Sequence, residues 1–568
     1  MILKALYDYY DRDAESVPYG YQLQSLSFLI VIDENGKFQY IEDCRQENRG
    51  TNFLVPAGSH NNGISPLLYW DNPMYLLDYI HEKDIDNPND KQKQKVKKAR
   101  KKHLSFVERC KRVAEATNDK DLLAVSKFYE LGEIDKVYND DLWNYIKTQT
   151  SVWLSFRIRG KLDIITENSN LLQFNSKSDN SHKGICLITG EYAEIARLCT
   201  NTPIIGSKSS AKLVSFNDSS YCSYNMEQGE NSPISLAAEF AFSSSLKKLI
   251  SGDSRNKFLI GNRTYLFWAS SGNEVCSTAE ECIFSLFGAN SADDNPNRQV
   301  EQVQKVFKSI YSGVLQTSLD DKFYILGLAP NSARIAVVYW AEIELRKFAE
   351  IICRHFDDME IIDGRKEKKP YMGLRSILSA VALDGKQSEV SPNLPDAVVK
   401  SIFQGTPYPY TLYAGCIRRI RAEQSLTITR AAIIKAYLNR LDNPEQKIDI
   451  MLDKENKNQG YLCGRLFAVL EKIQEEANNQ HSIRERYMNS ASATPAMVFP
   501  TILNLSCHHI EKLNEGRTVQ FEKLKQEIVD KISADGFPAH LDLQDQGRFF
   551  VGYYHQRQDF FEKKAENN

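Results

Sequence analysis

Between Met451 and Asn568 the apolar residues recur at helical rather than strand spacing, and this fixes the architecture of that part of the chain. Leu462, Leu466, Val469, Leu470 and Ile473 fall at i, i+4, i+7, i+8 and i+11, one stripe of an α-helix. Phe521, Leu524, Ile528, Val529 and Ile532 repeat the pattern. Between the two stripes, YMNSASATPAMVFPTILNLSCHHIEKL brings small residues, two prolines and a further apolar run. Apolar stripes must cover one another, so the segment is expected to form an antiparallel bundle of three or four helices. Its length of about 118 residues is a common single-domain size. It also opens on a methionine and a polar lead, MLDKENKNQG, like the start of a second protein.

Upstream the period changes. LSFLIVIDENGKFQYIED reads as two strands joined at DENG, where Asn35-Gly36 is a strong hairpin signal. Residues 113–147 turn helical, as in DLLAVSKFYELGEI. Residues 151–340 read as β-rich and loop-rich. SVWLSFRIRG alternates, NKFLIGNRTYLFWAS is a strand pair turning near Gly261-Asn262, and DKFYILGLAPNSARIAVVYW gives two more strands. KGICLITGEYAEIARL reads as strand, turn and short helix, and SAKLVSFN as a strand entering a polar loop. Helices dominate from about Ala341. The expected class is α+β: an N-terminal mixed α/β domain with several antiparallel strands over 1–365, a helical connecting region over 366–450, and the C-terminal all-helical bundle over 451–568.

No apolar run is long enough to span a membrane. MILKALYDYYDRDAESVPYG has acids where a signal peptide needs an apolar run, so a cytoplasmic location is expected. The 11 cysteines are scattered from Cys44 to Cys507 without a CxxC, which suits reduced thiols in a reducing compartment. Cys507, His508 and His509 form the one cluster of soft ligands. Adjacent helical side chains diverge by roughly 100°, so they converge poorly on a metal. P-loop, dinucleotide, zinc-protease and serine-hydrolase motifs are all missing. HNNG at His60–Gly63 has the residue types of some nucleases but lacks metal ligands in a matching frame. Acidic residues such as Asp357, Asp358 and Asp559 read as solvated charges.

The net charge is −3, yet positive charge is concentrated. KQKQKVKKARKKHLSFVERCKR, residues 91–112, holds eleven Lys or Arg and one acid, Glu108. Good helix formers and a seam of Val96, Ala99, His103, Phe106, Val107 and Cys110 predict a helix with one narrow buried face. So many like charges repel unless an anion such as a phosphate backbone neutralises them. Lys97, Lys98, Arg100, Lys101 and Lys102 are the phosphate-contact candidates. Three loops carry side chains suited to base edges: Asn61, Asn62 and Asn72; Lys208, with Ser209, Ser210 and Lys212; and Asn225 and Gln228, with Asn231. Singly these are ordinary turn residues. Together with the basic segment they point to nucleic acid.

Six segments, in order, extend this. MILKALYDYYDR, GISPLLYWDNPMYLL, CLITGEYAEIARL, LVSFNDSSYCSYNMEQGENSPIS, LAPNSARIAVVYW and YLCGRLFAVLEKIQ resemble the large subunit of the type I-C CRISPR Cascade, an RNA-guided DNA surveillance complex. The likeness runs from the first residue to about Arg557, apart from segment 91–112. It implies a subunit without catalytic residues, cofactor or metal, placed near the 5′ handle of the guide CRISPR RNA. Such a subunit recognises the protospacer-adjacent motif in double-stranded target DNA and helps start the R-loop, while guide pairing reads the sequence. Its partners would be the backbone subunits, the handle-binding subunit and a helicase–nuclease recruited after target binding, with no membrane involved. Its bundle would lie along the displaced strand, with Arg465, Lys472, Arg484 and Arg486 as the path. The bundle holds 15 basic and 17 acidic residues, so a local stripe is required. The likeness also implies a separate small subunit made from an internal start. Met451 is the candidate, because Met488 would discard the first apolar stripe. A DNA nuclease and a purely architectural subunit are the rival readings.

Overall fold

The computed structural model describes residues 1–13, 17–46, 50–58, 60, 64–80, 90–149, 151–175, 182–216, 218–288, 296–364, 373–386, 390–391, 393–441, 447–478 and 482–562. The chain divides into two compact units. The first comprises Leu3–Thr200 with Val214–Leu246, and the second Asn201–Leu213 with Lys247–Asn568.

In the first unit, strands β1 (Tyr21–Leu26), β2 (Phe28–Ile32), β3 (Phe38–Asp43), β4 (Thr51–Pro56), β5 (Trp70–Asp71) and β6 (Leu154–Ile158) form a β1–β4 ribbon and a four-stranded sheet ordered β3-β2-β6-β5. The β2–β6 pair is parallel and the outer pairs are antiparallel. FLIVI of β2 is buried at every position, as a central strand covered on both faces must be. The β2–β3 turn is the one read from DENG. Asp33 Oδ1 accepts from the backbone N–H of Asn35 and Lys37 at 2.9 and 2.8 Å. Gly36 sits at φ 83°, where a Cβ would lie 2.6 Å from the Phe128 backbone nitrogen, so only glycine fits. The basic segment lies within one helix, Asp90–Thr117. This basic helix buries Ala99, His103, Phe106, Cys110 and Val113, while Val96 stays exposed.

Two expectations for the middle of the chain are corrected. EYAEIARL forms no helix. Tyr192–Glu194 (β8) pairs antiparallel with Lys183–Ile185 (β7) around a turn closed by Cys186 and Gly190–Glu191 backbone bonds, and the ladder overrides the helix preference of Ala and Glu. The described residues of SAKLVSFN, 210–216, form no strand beyond a single bridge from Lys212 to Arg334. Residues 151–340 also hold helices, Glu274–Ile283 and Pro296–Ser312 among them.

The second unit is built on an antiparallel sheet of β9 (Lys257–Ile260), β10 (Arg263–Ala269), β11 (Lys322–Asn331) and β12 (Arg334–Glu344), ordered β12-β11-β10-β9. Phe323 stacks on Phe348 of the helix Leu345–Met359, with centroids 4.4 Å apart. From Leu394 onward every regular element among the described residues is a helix, so the fold is α+β. Within 451–568 the described residues form five helices: Gln459–Asn478, Ser482–Ala491, Pro495–Ile510, Glu515–Val529 and Leu543–Glu562. All five residues of the first predicted stripe are fully buried. In the second, Phe521 and Ile528 are buried, whereas Val529 is exposed. The helices Gln459–Asn478 and Leu543–Glu562 cross at glycines. A Cβ on Gly464 would lie 1.9 Å from the Phe549 carbonyl oxygen, and one on Gly552 2.3 Å from that of Tyr461. This core is continuous with the preceding helices. Tyr413, on the helix Tyr410–Glu423, donates to the Leu543 carbonyl at 2.6 Å and stacks on Tyr437 at 4.3 Å. The division expected at residue 365 therefore falls inside the second unit. Among the described residues no helix is long and apolar enough to cross a membrane.

Candidate nucleic-acid interface

On the basic helix, Lys97, Lys98, Arg100 and Lys101 are exposed. Among the described residues none of them pairs with a carboxylate, whereas Lys111 further along is matched by Glu130 at 2.8 Å. Lys102 is half-buried, its ammonium 5.0 Å from the Tyr75 ring centroid.

The buried side of the same helix holds a loop in place. His103 donates from Nδ1 to the Tyr75 carbonyl at 2.8 Å, and Arg109 donates to the carbonyl of Pro66. His60 lies on that loop. Its Nε2 is 2.8 Å from Asp71 Oδ1 and its Nδ1 is 3.0 Å from the Ser65 carbonyl. Both partners are acceptors, and an imidazolium donates to both, while the Asn72 amide nitrogen makes a longer contact with Nε2 at 3.4 Å. The hydrogen bond to Asp71 accordingly raises the His60 pKa above its ordinary value, against an opposing effect of burial. Asp71 is fully buried and also accepts from the N–H of Leu67 and Asn72, at 3.0 and 2.7 Å. The imidazole stacks on Tyr75 (4.6 Å, 13°) and on Trp153 (5.9 Å, 14°). His60 is thus tied to both Ser65 and Asp71. Asn61 and Asn62 lie outside the described residues.

Asn72 has a different place from the one its sequence suggests. Its Oδ1 accepts from the N–H of Met74 and Tyr75 at 3.1 and 3.4 Å, capping the short helix Pro73–Leu76. It supports the clamp from within. The HNNG histidine is likewise tied to Asp71 and Ser65. Among the described residues no group of three or more His, Cys, Asp or Glu could hold a metal ion.

In the second unit, Lys208 is exposed on a loop closed by Thr202 N–H to Ala211 O at 2.8 Å. Its backbone N–H reaches Ser332 O at 3.2 Å, and Lys212 bridges to Arg334. Lys208, Lys212 and Arg334 therefore gather at the tip of the β11–β12 hairpin. Sequence reasoning missed Arg334, because it lies more than a hundred residues from its neighbours. In the first unit, Asn225 is exposed and Gln228 half-buried, on a loop braced by Asn231. The Asn231 side-chain Oδ1 accepts from Ser223 N–H at 3.0 Å, and its Nδ2 donates to Met226 O and Gln228 O at 2.9 and 3.2 Å.

The four bundle cations separate. Arg465 is completely buried, bonded to Glu527 at 3.0 Å and Gln556 at 3.1 Å, so it is a core residue and not part of a surface path. Lys472 faces Glu475 and Glu476 at 3.3 and 3.7 Å. Arg484 lies 3.6 Å from Glu471, itself buried and held by Arg557 at 2.8 Å. Arg486 is exposed and, among the described residues, has no carboxylate partner. Met451 is exposed, in the loop before the helix Gln459–Asn478.

The exposed Lys97, Lys98, Arg100 and Lys101 give the first unit a basic surface suited to an anion, and comparison places the chain among CRISPR-associated proteins. The family described as CRISPR-associated protein (Cas_Csd1) matches residues 6–561, including the basic helix. The chain belongs to this family, the large subunit of type I-C complexes. No curated protein matches it.

Proposed function

We propose that the chain is the non-catalytic subunit that recognises the protospacer-adjacent motif in duplex DNA, helps start the R-loop, steadies the displaced strand and offers a docking surface to a helicase–nuclease. The observation that carries the proposal is the attachment of a polar loop to the basic helix. Lys102, His103 and Arg109 of that helix hold Tyr75 and Pro66, and Tyr75 stacks on His60 at the base of the loop. A duplex whose backbone lies on Lys97, Lys98, Arg100 and Lys101 would then be positioned by phosphate contacts, and Asn61 and Asn62 are the candidates to meet base edges. Lys208, Asn225 and Gln228 are the further base-edge candidates. Asn72 acts in support of the clamp.

Lys472, Arg484 and above all Arg486 remain for the displaced strand. The partners are the guide CRISPR RNA, the backbone and handle-binding subunits, and a separate small subunit starting at Met451. Met451 precedes the Gln459–Asn478 helix and would keep its whole stripe. Terminal peptides from the purified complex test this, and the absence of a companion of roughly 14 kDa beginning near Met451 would count against it.

A photo-crosslink from a labelled flanking motif tests the main proposal. Adducts are expected within 60–65 or on the basic helix. Adducts confined to other subunits would overturn it. Metal-dependent DNA cleavage by the purified subunit, abolished by His60→Ala, would favour a nuclease instead.

A further inference from the structure

We propose that Tyr224 is a stacking platform for a nucleobase, presented next to Asn225 at the crest of the 218–231 loop. This rests on the DNA-recognition reading and adds to it a residue and a kind of contact. Ser223–Met226 is a tight turn closed by Met226 N–H to Ser223 O at 2.9 Å, with Tyr224 at φ 53° and Asn225 at φ 60°. Positive φ at both central positions defines the type I′ turn, whose sequence preference is Asn-Gly. An aromatic residue at the first of these positions is held in an unfavourable conformation. Such strain is normally retained where packing rewards it. Here the Tyr224 side chain is 96% exposed and contributes nothing to a core.

The loop is nonetheless built to hold that shape. Asn231 makes three hydrogen bonds across its base. Asp218 caps the turn at Ser219–Tyr221 through Ser220 N–H at 3.0 Å. Gly229 N–H bonds Arg197 O at 3.0 Å, in a spot where a Cβ would come within 2.0 Å of the Ala196 carbonyl oxygen. A ring fixed in water by a braced, strained turn is preorganised for a flat partner, and bases stack on aromatic side chains whatever their sequence. The immediate neighbours favour a base over a protein surface. Ser219, Ser220, Ser223 and Asn225 are exposed hydrogen-bonding groups, whereas a protein hot spot is ringed by groups that exclude water, and the loop's acids, Asp218, Glu227 and Glu230, disfavour a phosphate there, so the ring would meet the uncharged face of a base and not the backbone.

The test uses the assembled, guide-loaded complex and target duplexes carrying 2-aminopurine at successive positions of the flanking motif and the first target pairs. With the wild-type subunit, fluorescence should change sharply at one position. Tyr224→Phe and Tyr224→Trp should keep that signal. Tyr224→Ala and Tyr224→Gly should lose it and bind target about 5- to 150-fold more weakly. Tyr224→Gly relieves the turn, so the subunit should melt no lower than wild type, which separates stacking from folding. If the wild-type complex discriminates its motif while Tyr224→Gly binds as tightly with the same signal, the stacking role is wrong and motif reading survives. If the signal depends on residue 224 in a complex indifferent to the motif, stacking stands and motif reading falls. Failure of Tyr224→Ala and Tyr224→Gly to assemble with the other subunits before DNA is added would assign the ring to a protein contact and overturn the proposal.

Discussion

Replacing Lys97, Arg100 and Lys101 with glutamine should flatten the salt dependence of target binding without harming the fold. At about 100° per residue these three project within an arc of roughly 100° on the basic helix, with Lys98 at its margin. They are exposed and, among the described residues, unpaired with carboxylates, so no ion pair is broken, and glutamine keeps the helix propensity of lysine and arginine. If each neutralises one phosphate, the slope of log affinity against log salt loses about 2.7. Raising salt from ~50 to ~200 mM should then cost the wild-type complex roughly 40-fold more affinity than the triple variant. Filter binding or fluorescence anisotropy with guide-loaded complex and a matched duplex reads this directly. Lys111→Gln is the control, since that ammonium is already matched by Glu130. A triple variant whose slope equals the wild-type slope would refute the contact.

Other consequences follow from packing and protonation. Gly464→Ala puts a methyl 1.9 Å from the Phe549 carbonyl oxygen and 2.9 Å from the Tyr553 nitrogen, both rigid backbone, and should destabilise the second unit by about 3 kcal/mol. Melting unchanged from wild type would disprove the close crossing. Arg465→Ala should cost about 2–3 kcal/mol, Arg465→Met less, because Glu527 is partly exposed and can hydrate. Unaltered stability combined with lost protection of the displaced strand would instead return Arg465 to the surface. The raised pKa of His60 makes the clamp's contribution fully present below the unfolded histidine value of about 6.5, and lost as pH rises through the folded value. His60→Gln should therefore lower the melting temperature more at mildly acidic than at mildly alkaline pH, and an equal drop at both would contradict a charged ring. His555 has the opposite sign: burial pushes it down to about 3, so stability tied to it declines as pH falls below about 6.5. His555→Gln should flatten that acid limb of a pH–melting series.

The local chemistry of the chain was legible where one segment sufficed. DENG gave its hairpin through Asp33 and Gly36, and the Leu462–Ile473 stripe gave a buried helix, because both signals lie within a few residues. The seam of the basic helix was also readable from Ala99 to Cys110. Pairings between distant segments were not readable. Tyr192–Glu194 looks helical until β7 offers it a ladder. Arg465 looks like a surface cation until Glu527 and Gln556 close around it. Asn72 resembles a free amide but is a cap. The His60–Asp71 pair joins residues eleven apart across a loop, with no spacing rule to announce it. Positive φ at Tyr224 runs against residue preference, so sequence patterns would place the turn's strained position elsewhere.

The central proposal, that this subunit selects duplex DNA by a short flanking motif, is tested most directly by selection from a library. Guide-loaded complex would be offered a matched target whose flanking positions are randomised, and the bound fraction sequenced. Enrichment of a short motif by the wild-type complex is expected, as is its loss when Asn61 and Asn62 are changed to alanine together with the Lys97, Arg100 and Lys101 replacements. Bound sequences as random as the input, at full affinity for the matched target, would contradict it.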